Sequence, residues 1–170
     1  MIRSSDSPRS SDSPPARESG KSIRRRLGPW IAAALWAGWI FFASTGNFTS
    51  DNTSHYIIPF LQWLLPHASL ATLQFVHLAI RKSAHVVEYF IFSVLLWRAF
   101  RAEASRWQFR AAFLAAAIAT VYAATDEFHQ SFVPGRSASV HDVMIDASGA
   151  ILAQIIVWIW MRRRRDELIA

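Results

Sequence analysis

No cysteine occurs in this chain of 170 residues, which excludes disulfides, thiolate nucleophiles and thiolate metal sites. Charge is scarce too, at 18% of residues, and it is unevenly placed: from Leu27 to Ser50 there is no Asp, Glu, Lys or Arg. The formal charge of +6 is not carried by a basic stripe with interleaved aromatics, so it gives no footprint for nucleic acid. The basic residues sit in short clusters beside apolar runs, where they act as a topology signal. What the chain does have is apolar surface: 52% hydrophobic residues, with 8 Trp and 12 Phe. Its length suits one domain. Apolar runs near the bilayer-spanning length, repeated along that domain, predict transmembrane helices rather than a soluble core.

Residues 1–27 hold eight Ser and three Pro. Such a segment buries too little surface to offset chain entropy and is expected to be a disordered, basic, cytoplasmic tail. It ends in Arg24, Arg25 and Arg26, followed by a Trp-rich run without a small-residue cleavage site, which reads as an uncleaved signal anchor. The predicted architecture is all-α: a bundle of four transmembrane helices over about 28–44, 84–100, 110–125 and 143–161, within a domain spanning 28–165. The third span is alanine-rich, with eight Ala between Ala111 and Ala124, and the fourth carries a Gly149/Ala153 pair. Small side chains of this kind let membrane helices approach closely.

Tyr56 to Ile80 has no formal charge and competes as a fifth span. With four spans, the N-terminal tail, the 98–110 loop and the C-terminus hold 7, 4 and 4 of the 18 Lys/Arg, against Arg81, Lys82 and Arg136 on the other side. A fifth span would split those basic groups across the membrane, so four spans are expected, with both termini inside a bacterial inner membrane. Residues 56–80, with Pro59 and Pro66 as breaks, are then one or two helices lying in the outer interface between spans one and two. Trp97, Trp107, Trp158 and Trp160 fall near the inner helix ends, as an aromatic belt requires.

Charge reappears in two stretches that this topology sends to one side. RKSAHVVEYF, residues 81–90, places Lys82, His85, Glu88 and Tyr89 at helical spacing, on one expected helix face. TDEFHQSFVPGRSASVHDVMID, residues 125–146, carries Asp126 and Glu127 at the end of span three, Arg136 after a Pro134-Gly135 turn, and Asp142 and Asp146 four residues apart on span four. Glu88 and Asp146 should lie inside the membrane boundary. An ionisable group there costs about 2.5–3.5 kcal/mol on insertion scales, so both are expected to face the bundle interior. Three bases against five acids leave the two clusters at −2, a charge that protonation or a bound cation would meet.

Lys82-x-x-His85-x-x-Glu88-Tyr89, then Asp126-Glu127-x-x-Gln130-x-Phe132-x-Pro134-Gly135-Arg136, then Asp142 and Gly149, resembles the VanZ-like membrane protein family. The family is named for a protein associated with teicoplanin resistance, and the resemblance covers about residues 81–160. One departure is Asp146, where the family often has Asn. The resemblance implies a small multi-span membrane protein of the cell envelope with an outward polar cluster.

Three functions fit such a cluster. The first is structural: Arg136 bridging Asp126 or Asp142, and Lys82 pairing with Glu127, would hold three helix ends in register. The second is binding, with Lys82, His85, Glu88, Tyr89, Asp126, Glu127, Gln130, Arg136, Asp142 and Asp146 forming a site for an amphiphile, either a lipid-linked wall precursor or a lipoglycopeptide. The third is membrane-embedded catalysis, with His85, Glu88, Asp126 and Glu127 as acid–base candidates. His85, Glu88, His129, His141 and the acids also suit Zn²⁺ or Mn²⁺ as ligands, although no specific metal motif is present and no cofactor is required. Expected partners are membrane lipids and such an amphiphile, not nucleic acid.

Overall fold

A computed structural model describes residues 16–45, 49–101, 107–134 and 138–167, with side chains from Arg26 onward except that of Asp51. The described residues form five helices, α1 (Ala16–Ala43), α2 (Ser50–Leu64), α3 (Leu70–Arg101), α4 (Phe109–Gln130) and α5 (Val140–Glu167), and contain no strand. Four of them, all but α2, are long and apolar enough to cross a membrane. At about 1.5 Å per residue α2 reaches only about 22 Å, short of the roughly 30 Å hydrocarbon core.

The helix ends depart from the boundaries read in the sequence. α1 begins at Ala16, well before the expected edge of the tail at 27; residues 1–15 lie outside the described residues. Pro59 sits inside α2 and does not break it, whereas Pro66 lies in the gap between α2 and α3. The second half of the 56–80 segment is no separate interfacial helix. From Leu70 it runs without interruption into span two, giving α3 32 residues. At about 48 Å that helix is much longer than one bilayer crossing.

α3 is the hub of the bundle, packing against α1, α2, α4 and α5, while α4 also packs on α5. What lets the helices meet is the absence of side-chain bulk. Ala111, Ala115, Ala119 and Ala123, spaced four apart, are buried on α4, and Ala150 and Ala153 are buried on α5. Gly149 goes further: a Cβ there would lie 2.4 Å from the Val86 carbonyl oxygen of α3. The small-residue pair thus marks a backbone-to-backbone approach that leucine-sized contacts would forbid. Larger side chains, Tyr89, Phe92, Leu96 and Trp97 of α3 with Ile40 of α1, fill the remaining core. Leu35, Phe113, Val121 and Ile151 point outward and exposed, as side chains solvated by lipid do.

The two ends of the bundle differ. One joins the C-terminal ends of α3 and α5, with Arg101 over the Trp97 ring at 4.8 Å and Arg164 over the Trp160 ring at 4.2 Å. Arg98 and Arg101 close α3, and Arg164 and Arg165 close α5, a sign that suits the negative end of a helix dipole. Trp158 and Trp160 are exposed as belt residues should be, but Trp97 is 3% exposed and belongs to the core. The other end gathers Asp126, Glu127, Asp142 and Asp146.

Candidate functional site

At the polar end, the N-terminal part of α5, the last turns of α4, the end of α1 and the middle of α3 converge. Two inter-helix contacts set the geometry. Ser139, just ahead of α5, donates its backbone N–H to Glu127 Oε2 at 2.9 Å, and its own hydroxyl accepts from the His141 N–H at 3.2 Å. Glu127 therefore does from α4 what the glutamate of a capping box does within one helix. On the other flank, Ser44 after α1 donates to Asp126 Oδ2 at 2.7 Å, and Gln130 Nε2 donates to the same oxygen at 2.9 Å. All three side chains are buried, so this contact ties α1 to α4 directly.

Between these contacts lies a cavity of about 160 Å³ lined by Ser50, Leu78, Arg81, Lys82, His85, Glu127, Gln130, Asp142, Ile145 and Asp146. Lys82 forms an ion pair with Asp142, which stands in the first turn of α5, where the helix dipole favours an acid. His85 Nδ1 lies 3.5 Å from Asp146 Oδ1, too long for a normal hydrogen bond. Asp146 is 1% exposed, as expected for an acid facing the bundle interior.

Six of the ten residues singled out in the sequence thus meet around one cavity: Lys82, His85, Glu127, Gln130, Asp142 and Asp146. Arg136 lies outside the described residues. The remaining three do not line it. Glu88 turns toward α1, where its backbone carbonyl accepts from the Trp36 indole at 2.9 Å and its side chain meets Trp39. At about 100° per residue, six positions carry Glu88 roughly 120° around α3 from Lys82, so the presumed single face is two. Tyr89 is 0% exposed in the core, and its hydroxyl has no hydrogen-bond partner among the described residues. Asp126 is held in the Ser44–Gln130 contact. Both Asp126 and Glu127 lie within α4 rather than beyond its end.

The expected Lys82–Glu127 pair is also replaced. Lys82 takes Asp142, and Glu127 takes a backbone N–H that no side-chain inventory would reveal. Sequence reading missed Ser44, Ser50, Leu78 and Ile145 as well. Serines and aliphatics carry no distinguishing signal in an apolar chain, whereas Arg81 adjoined the recognised motif and was the one that could have been added. Beside the cavity, Arg81 Nη1 donates to Thr53 Oγ1 at 3.0 Å, which joins α2 to its rim. Among the described residues, no group of three His or carboxylate side chains is arranged to hold a metal ion.

Four apolar spanning helices, packed through small residues and gathering their ionisable groups around a cavity at one end, define a multi-span helical membrane protein with a polar terminal site. Residues 29–161 match the family model described as VanZ/LLP1, and the chain belongs to that family. The match takes in α2 and most of α1, well beyond the 81–160 region that carried the resemblance. Membership links the chain to a membrane family associated with glycopeptide resistance. No curated protein and no solved structure matches it.

Proposed function

We propose that the cavity receives the polar headgroup of an amphiphile of the bacterial cell envelope, with the protein in the cytoplasmic membrane, both termini inside and the polar end facing out. The observation that carries this reading is the cavity itself, about 160 Å³, lined mainly by charged and polar groups with Leu78 and Ile145 among them. It stands at the end of helices whose sides are apolar. A ligand with a polar head and an apolar tail can satisfy both surfaces together. Pockets for drug-sized molecules run about 300–1,000 Å³, so a headgroup fits and a whole lipoglycopeptide does not. Glycopeptide tolerance would then arise through an envelope lipid or lipid-linked wall precursor that the drug encounters, rather than by capture of the drug.

The test is lipid extraction and mass spectrometry of purified wild-type protein beside Lys82→Ala and Asp146→Asn, with teicoplanin susceptibility measured in the same strains. A lipid enriched in the wild type and lost from both variants at equal membrane abundance is expected. Equal lipid content in all three would overturn the reading.

A second reading draws on the 3.5 Å approach of His85 and Asp146, an acid orienting an imidazole as in general-base catalysis. Of the acid–base candidates only His85 and Glu127 reach the cavity; Glu88 and Asp126 are engaged with α1 or the residue that follows it. Chemical conversion of a captured lipid, abolished by His85→Ala with binding retained, would favour catalysis over binding alone.

A further inference from the structure

The Lys and Arg charges around the cavity do not balance its carboxylates, and His85 is the remaining titratable group that lines it. Among the described lining residues, Arg81 and Lys82 face Glu127, Asp142 and Asp146. Asp142 is matched by Lys82. Glu127 and Asp146 are 5% and 1% exposed, and neither forms a salt bridge with Lys or Arg among the described residues. Glu127 has the Ser139 N–H. Asp146 has less: Oδ1 stands 3.5 Å from His85, and Oδ2 has no hydrogen-bond partner among the described residues. A buried carboxylate oxygen without a donor is costly, and Asp146 is among the residues that line the cavity.

Three kinds of headgroup can be compared. A purely anionic one brings like charge against two buried carboxylates. A quaternary ammonium has no N–H to give and is ordinarily held by an aromatic cage, yet no Phe, Tyr or Trp is among the described residues that line the cavity. A primary ammonium is compact and carries three donors, which suits the Asp146 oxygen and the Glu127 carboxylate together.

We propose that the ligand's headgroup bears a primary ammonium, received by Asp146 and Glu127, with Arg81 and Lys82 meeting the phosphate or carboxylate of the same headgroup. The ligand class is a zwitterionic amine-bearing amphiphile. The assignment rests on the headgroup reading above and narrows it. It also gives Asp146 a role: an Asn there would supply neither the charge nor a second acceptor oxygen.

The experiment uses the full chain in phosphatidylcholine nanodiscs, titrated separately with phosphatidylethanolamine, phosphatidylglycerol and soluble phosphoethanolamine, with occupancy read by native mass spectrometry. Phosphatidylethanolamine should bind about tenfold or more tighter than phosphatidylglycerol. Asp146→Asn should lose most of that preference and Glu127→Gln part of it, while both variants keep the wild-type circular dichroism spectrum. Excess EDTA should leave binding unchanged. Phosphatidylglycerol binding equally well, or both variants keeping the preference, overturns the ammonium assignment and leaves the headgroup reading intact. Phosphoethanolamine binding as tightly as the lipid retains the ammonium and overturns the amphiphile. Loss of binding in EDTA assigns the carboxylates to a cation instead, and binding of neither lipid overturns both proposals.

Discussion

Gly149 of α5 lies against the backbone of Val86 in α3 so closely that a Cβ would stand 2.4 Å from the Val86 carbonyl oxygen. This contact sets the separation of α3 and α5 less than one turn from the Asp146–His85 pair. Replacing Gly149 with Ala should force the two helices apart, at a cost of about 1–3 kcal/mol typical of overpacking. Gly38→Ala, at a position with nothing within 4 Å of the added carbon, should be tolerated. Thermal unfolding of the two variants in detergent checks the difference, and Gly149→Ala should also weaken lipid capture.

Ser44→Ala removes the donor to buried Asp126 Oδ2 and leaves the Gln130 amide donating to that oxygen. A loss of about 1–3 kcal/mol is expected for a buried acceptor deprived of a partner. Because the bond joins the end of α1 to α4, limited proteolysis after α1 should accelerate along with the fall in melting temperature. Ser44→Thr, which keeps a hydroxyl, should recover part of the loss.

The Lys82–Asp142 pair is 40% and 34% exposed at its side chains, so solvent screens it and its contribution to stability should be at most about 1 kcal/mol. Lys82→Ala should therefore leave the melting temperature nearly unchanged while reducing headgroup binding. A large destabilisation would mean that the pair is primarily structural.

The alanine stripe of α4 predicts a position-dependent response to bulk. Ala115→Leu and Ala119→Leu, at sites 0% exposed, should each destabilise by about 1–3 kcal/mol. Ala124→Leu, on the exposed side of the same helix, should be close to neutral. Equal effects at all three would contradict the packing of α4 against its neighbours.

Because there is no native cysteine, single-cysteine labelling has no background. With the proposed orientation, Ser139→Cys should react with a membrane-impermeant maleimide on intact cells and Asp166→Cys only after lysis. The reverse pattern would invert the topology drawn from the arginine distribution.

The charge-free runs and the arginine clusters beside them made the four spans legible, because bilayer insertion acts on composition over a whole segment. The polar residues of α3, α4 and α5 were legible too, since ionisable groups stand out in an apolar background and helical spacing relates neighbours on one helix. Pairing between helices was not. Lys82 could equally have met Glu127, and only the relative height of α5 against α3, set by Gly149 on Val86, brings Asp142 to it. Ser44 had no signal because its importance comes wholly from the buried acid it faces.

The sequence by itself determined that the chain is helical, that four of its segments are apolar enough to span a membrane, and which ionisable residues stand near their ends. These depend on local composition and period. Tertiary structure alone decided that Lys82, His85, Glu127, Gln130, Asp142 and Asp146 share a cavity while Glu88, Tyr89 and Asp126 do not. The physical reason is that helix rotation and height are set by close packing of alanine and glycine faces, and a shift of one turn, about 5.4 Å, would have joined a different set of charges.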